Sequence, residues 1–196
     1  MTALIQHGRV IQDPPFIRSL FNNPRSAYLW LALRLWLGYQ WIEAALQKIE
    51  NPAWIQTGNA LKDFWFSAVQ IPADGQPPIT SDWYRSFIQF MLDAKAFIWL
   101  GKLVAFGELI VGIALILGAF TGIAAFFGAL MNWNFMMAGS ASSNPFLFVI
   151  ALGVVMAWKI AGYIGLDYFL LPWIGTPWDR KVRDRSSIAS TETKKT

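Results

Sequence analysis

Apolar residues gather in four long runs, at 27–47, 97–117, 120–137 and 146–166. Each run approaches the roughly 20 residues that a helix needs to cross a bilayer. From Phe97 to Trp178 the only Asp, Glu, Lys or Arg side chains are Lys102, Glu108, Lys159 and Asp167. Start and stop signals agree with helices. Asn23-Pro24 and Asn144-Pro145 each place a capping residue before a proline suited to the first helical position. Residues 118–122, Gly-Ala-Phe-Thr-Gly, predict a tight turn, and the small uncharged residues 138–144 predict another. The pattern predicts an all-α membrane protein: a four-transmembrane-helix bundle in one domain, 1–178. A basic, disordered tail follows at 179–196.

The segment between the first two runs, 48–96, is too long for a simple connector. Asn51-Pro52 opens a stretch in which Trp54, Gly58, Leu61, Trp65 and Ala68 recur at helical spacing. This predicts an amphipathic helix over 54–68 lying on the outer surface. Pro72, Pro77 and Pro78 break the chain, and a helix restarts near Thr80, Ser81 and Asp82, running on into the second span. Trp54, Trp65, Trp83 and Trp99 fit an aromatic belt at the outer interface. The alternative for this segment is a lid over a pocket that opens outward.

Composition sharpens the class. Apolar residues make up 55% and charged residues 14%, where a soluble domain carries about a quarter charged residues. With no Cys, disulfides, Cys-ligated zinc and iron–sulfur clusters are excluded. The single His7 excludes a His-rich metal site or bis-His haem within one chain. The net charge of +4 resides mainly at the ends: Arg9, Arg18 and Arg25 before the first run, and Arg180, Lys181, Arg183, Arg185, Lys194 and Lys195 in the tail. By the positive-inside rule both termini are cytoplasmic and 48–96 is extracytoplasmic. The protein is then expected in the plasma membrane as a multi-pass protein without a cleavable signal. The lipid bilayer is its expected partner, and no basic face remains for nucleic acid.

Polar residues within the runs are costly in a membrane and are therefore buried, paired or functional. Arg34, Gly38, Trp41, Ala45 and Lys48 share one face of the first helix, and Gln40, Glu43 and Gln47 form a second polar stripe. Gly101, Ala105, Glu108 and Gly112 share a face of the second; Thr121, Ala125, Gly128, Asn132 and Met136 share one of the third. Small residues allow close helix approach, and polar ones bond across it. Depth along the helices predicts an Arg34–Glu108 pair, with Asn132 or Asn134 within reach, and a secondary Glu43–Lys102 pair. Lys159 is placed to snorkel, with either Asp167 or no side chain as its partner. Two readings stay open for Arg34, Trp41, Lys48, Glu108, Asn132 and Asn134. They hold the helices in register, or they form a site for a quinone, a small anion or a proton.

The run Arg34-Leu35-Trp36-Leu37-Gly38, then Lys48-Ile49-Glu50-Asn51-Pro52-Ala53-Trp54, precedes a longer stretch from Glu108 through Gly112, Gly118, Thr121 and Gly122 to Ala125. Together these resemble the DoxX/DoxD family of small four-helix membrane proteins, over about residues 31–173. Asn51-Pro52-Ala53-Trp54 leans toward DoxD, the membrane subunit of thiosulfate:quinone oxidoreductase. Gly122 departs from the Arg that the family often has there. The resemblance implies a membrane protein linked to redox chemistry. In the thiosulfate enzyme, two thiosulfates become tetrathionate, quinone takes the electrons, and a second small subunit takes part. The chain has no metal, haem or flavin motif of its own; quinone as a substrate is what the resemblance implies. Three classes remain in view: a quinone-linked oxidoreductase subunit, a non-catalytic anchor or assembly partner of a redox complex, and a small transporter or ligand-binding membrane protein. A small redox subunit and a homo-oligomer are the protein partners left open.

Overall fold

A computed structural model describes residues 13–174. His7 and the 179–196 tail lie outside the described residues. Those described form helices and turns with no strand.

A short helix α1 (Pro15–Phe21) leads through a 3-10 turn at Pro24–Ser26 into α2 (Ala27–Ile49). Asn23 caps that turn by accepting from the Arg25 N–H at 3.0 Å. Asn51 accepts from the Ala53 N–H at 2.9 Å and starts α3 (Pro52–Ile55); α4 (Asn59–Val69) follows. The expected single helix over 54–68 is thus two helices. Gly58 separates them at φ 73°, and a Cβ there would overlap the Phe97 carbonyl. Leu61, Trp65 and Ala68 are buried as the stripe requires, and Trp54 is half-buried. Trp54 and Trp65 therefore do not belong to an exposed belt; Trp83 and Trp99 are the exposed members.

Helix α5 (Asp82–Asp93) does not continue into α6 (Phe97–Leu117). Lys95 adopts φ 52°, which ends one helix before the next begins. The Gly118 C-cap at φ 68° turns the chain into α7 (Thr121–Met137), followed by α8 (Asn144–Met156). Asn144 is the first residue of α8 rather than its cap; its amide donates back to the Ser140 carbonyl at 2.9 Å. The fourth apolar run is not one helix. After α8 come a single turn α9 (Trp158–Ala161), a bend through Gly162 and Gly165, and α10 (Asp167–Leu170). The bend is pinned to the α6–α7 turn, where the Leu166 and Asp167 N–H groups donate to the Leu117 and Gly118 carbonyls at 3.1 and 2.7 Å.

The closest helix pairs are α2 with α6 and α7 with α8. Gly38 and Gly112 set the first crossing: a Cβ on Gly112 would sit 2.9 Å from the Gly38 carbonyl. The exterior is as apolar as the core. The inner face of α6 buries small and polar residues, Gly101, Ala105, Glu108 and Gly112, beside Phe97, Val111 and Leu115, while Leu103, Phe106, Ile110 and Ile113 are exposed. Large apolar residues are exposed in the same way on α7 (Ile123, Phe126, Phe127) and α8 (Phe146, Val149, Met156). Among the described residues α6 is the helix both long and apolar enough to cross a membrane; α8 is a shorter apolar helix.

A second core, with Leu61, Trp65, Ile79, Tyr84, Ile88 and Phe97 as its larger members, joins α4 and α5 into a cap over one end of the bundle. The Tyr84 hydroxyl lies 3.1 Å from both the backbone carbonyl and the side-chain Oδ1 of Asn134 on α7. Burial pushes the Tyr84 phenol up to about 12.

Candidate functional site

Among the described residues five polar side chains are fully buried: Arg34, Glu108, Thr121, Asn132 and Asp167. They separate into two groups, one at each end of α2.

At the cap end, Lys48 Nζ lies 2.7 Å from Glu108 Oε2. The ammonium also sits 5.4 Å from the Trp54 ring centroid and 5.9 Å from that of Phe135. A cation over two aromatic faces and against a carboxylate is held in place from several sides. The pair lines a cavity of about 470 Å³ between α2, the α7–α8 loop and the cap. Its deep wall carries Trp41, Glu108 and Asn132, its roof Trp54, Leu61 and Phe64, and exposed Glu43 and Gln47 stand at the rim. Trp41 Nε1, Glu108 Oε1 and both amide atoms of Asn132 are buried without a hydrogen-bond partner among the described residues. Unpartnered buried polar atoms are costly, so their presence together on a cavity wall points to a ligand.

At the far end, Arg34 is 1% exposed and its Nη2 donates to the Ile164 carbonyl at 2.9 Å. Asp167 attracts it without a direct ion pair. The Asp167 carboxylate is spent on the start of α7, accepting from the Phe120 N–H at 2.5 Å and the Thr121 N–H at 2.8 Å. A carboxylate at a helix N-terminus satisfies two free donors and complements the dipole. Gly118 and Gly165 make room for the guanidinium; a Cβ on Gly118 would overlap Arg34 Nη1.

The predicted Arg34–Glu108 pair is therefore replaced by Lys48–Glu108. Side chains on a helix lean toward its N-terminus. The cap lies over the C-terminal end of α2 and the N-terminal end of α6. Arg34 leans away from it and Glu108 leans toward it, so the two diverge. Lys48, at the last turn of α2, leans back toward Glu108. The Glu43–Lys102 pair is absent too: Glu43 stands at the cavity rim and Lys102 is exposed on α6. Of the other candidates, Trp41, Lys48, Glu108 and Asn132 meet at the cavity, whereas Asn134 bonds Tyr84. Lys159 lies over the Trp158 ring at 5.8 Å. Ser140, Ser143, Asn144 and Phe64 also line the cavity. They had no periodic signal, because a loop and a separate cap helix supply them.

These features define a helical bundle with a lipid-suited exterior and a polar cavity under a cap. The DoxX family model matches residues 29–139, more than half of the chain, which places this membrane protein in the DoxX family. Searches of the curated proteins and of the solved structures gave no match.

Proposed function

We propose that this DoxX protein is an integral membrane subunit of a redox complex that binds a quinone head group in the Lys48–Glu108 cavity. The observation that carries this is the unpartnered set on the wall: Trp41 Nε1 and Asn132 Nδ2 as donors, with Glu108 Oε1 beside them. A quinone presents two carbonyl acceptors on a flat ring. The carbonyls suit the two donors and the Lys48 ammonium, and the ring suits Trp54, Phe64 and Phe135. Reduction to quinol takes two electrons and two protons, and the Lys48–Glu108 pair stands where a proton is needed.

The electron donor in this reading is thiosulfate, two of which give one tetrathionate and two electrons. The cavity sets Lys48 against two carboxylates, Glu43 and Glu108, which disfavours a dianion there. Thiosulfate is therefore placed outside the cavity, on a small partner subunit. In the same reading α2, α6, α7 and the α8–α10 region form four spans of the plasma membrane, with cytoplasmic termini and an outward cap. Single cysteines replacing Gly75 and Ser187 would then react with an impermeant reagent from opposite sides. Labelling from one side would end the four-span topology.

The functional test is purification followed by lipid extraction and mass spectrometry, with thiosulfate-dependent reduction of a short-chain quinone measured on membranes that contain the partner. Copurified quinone, lost in Glu108→Gln, is expected. Protein that carries only phospholipid and supports no reduction would overturn the reading in favour of a non-catalytic anchor.

A further inference from the structure

Helix α5 has three faces. Tyr84 and Ile88 are buried in the cap core. Asp82, Ser86, Gln89 and Asp93 recur at i, i+4, i+7 and i+11 as an exposed polar strip. Trp83, Phe87 and Phe90 recur at i, i+4 and i+7 as a third strip, 62%, 46% and 66% exposed. At about 25 cal/mol per Å² of apolar surface, three exposed aromatics on one face are unfavourable in water.

The aromatic strip is not isolated. The Tyr84 ring is 5.4 Å from Trp83, 5.9 Å from Phe87 and 6.1 Å from Trp133 of α7. Trp133 in turn continues Phe126 and Leu130, exposed on α7 at i, i+4 and i+7. One apolar surface thus runs from the flank of the bundle, across Tyr84, onto the cap. In a membrane protein that flank meets acyl chains, and the polar strip of α5 marks where the lipid ends and water begins. Division among protein core, lipid and water is the pattern of an interfacial helix.

The charges choose the kind of lipid surface. The one basic residue of α5, Arg85, has its Nη1 on Asp82 at 2.7 Å and its Nη2 on the Ile79 carbonyl. Asp93 adds a further negative charge, so the strip offers nothing to an anionic head group.

We propose that α5 is an interfacial helix that seats the cap on a membrane surface of neutral head groups through Trp83, Phe87 and Phe90. The protein has no cysteine, so single labels are specific. Phe90→Cys and Gln89→Cys would each carry an environment-sensitive fluorophore, in full-length protein reconstituted into phosphatidylcholine vesicles. The label at position 90 should be quenched several-fold more by lipid spin-labelled near the head group, and several-fold less by aqueous iodide, than the label at position 89. Adding phosphatidylglycerol should leave both ratios unchanged. Equal iodide quenching at the two positions would overturn the proposal. Shielding of position 90 from both iodide and lipid would overturn it as well, in favour of a protein partner. A label in Trp83→Cys repeats the test should Phe90→Cys fold poorly.

Discussion

Glu108 and Asp167 are both buried carboxylates facing a basic side chain from α2, yet their oxygens are used differently. Both oxygens of Asp167 are bound by backbone N–H groups of the α6–α7 turn, and Arg34 beside it is enclosed by Gly118 and Gly165. Glu108 gives one oxygen to Lys48 and leaves the other, with Trp41 and Asn132, on a cavity wall. Lys48 itself is 19% exposed through its side chain, whereas Arg34 is sealed. Burial of charge alone does not mark a site. The difference lies in the carboxylates: backbone donors fill both oxygens of Asp167, whereas Glu108 keeps one oxygen free on a cavity wall, and Arg34 Nε and Nη1 have no hydrogen-bond partner among the described residues.

The comparison predicts opposite mutational behaviour at the two ends. The largest effect is expected for Asp167→Ala, which uncaps α7, leaves the Phe120 and Thr121 N–H groups without their acceptor and removes the carboxylate that attracts Arg34. Losing a helix cap and leaving two buried donors unsatisfied costs about 3–4 kcal/mol. Thermal unfolding in detergent should show this loss, with quinone binding intact in the folded fraction. Next is Gly118→Ala, expected to cost about 2–3 kcal/mol from overpacking against Arg34 and a left-handed backbone. In an Arg34→Ala background the same change should cost only the backbone part, about 1 kcal/mol. Equal costs in both backgrounds would mean that Arg34 does not define that glycine.

At the cap end the order reverses. Glu108→Gln should change stability by about 1 kcal/mol or less, because Lys48 keeps its aromatic contacts and reaches the cavity. Quinone affinity should fall at least tenfold, about 1.4 kcal/mol. A Lys48→Met/Glu108→Leu double variant should fold and not bind. Unfolding of Glu108→Gln with unchanged binding would abolish the contrast between the ends. The smallest effect concerns Tyr84, which ties the cap to α7. Its phenol is raised from 10.0 to about 12, so the folded state holds the proton more tightly than the unfolded chain. Its contribution is fully present below about pH 10 and is lost as pH rises through about 12. Tyr84→Phe should lower stability by about 1 kcal/mol below pH 10 and flatten that alkaline limb, followed by thermal unfolding across pH.

Much of the bundle was legible because faces are periodic. The small and polar positions of the second and third runs, Gly101, Ala105, Glu108, Gly112, Thr121, Ala125, Gly128 and Asn132, are the buried faces of α6 and α7. Trp41 and Lys48 were legible as members of the α2 face. What periodicity does not carry is side-chain lean, and so Arg34 rather than Lys48 was matched to Glu108. Nor does it carry contacts made by irregular chain. Asp167 lies 46 residues from Thr121, beyond a broken helix, and no spacing rule reaches it. The breaks at Gly58, Lys95 and Ala157 were equally hidden inside runs that read as continuous.

The Asp167 latch also bears on the order of assembly during synthesis. In the folded protein Phe120 stands at φ 47° and the Thr121 N–H has no acceptor from its own helix. The acceptor for both arrives only after all of α8 has been made. Until then the Phe120 and Thr121 N–H groups lack the acceptor that the folded protein gives them. The stretch around Asp167 therefore acts as a clasp on the α6–α7 turn, where it also meets Arg34 of the first long helix.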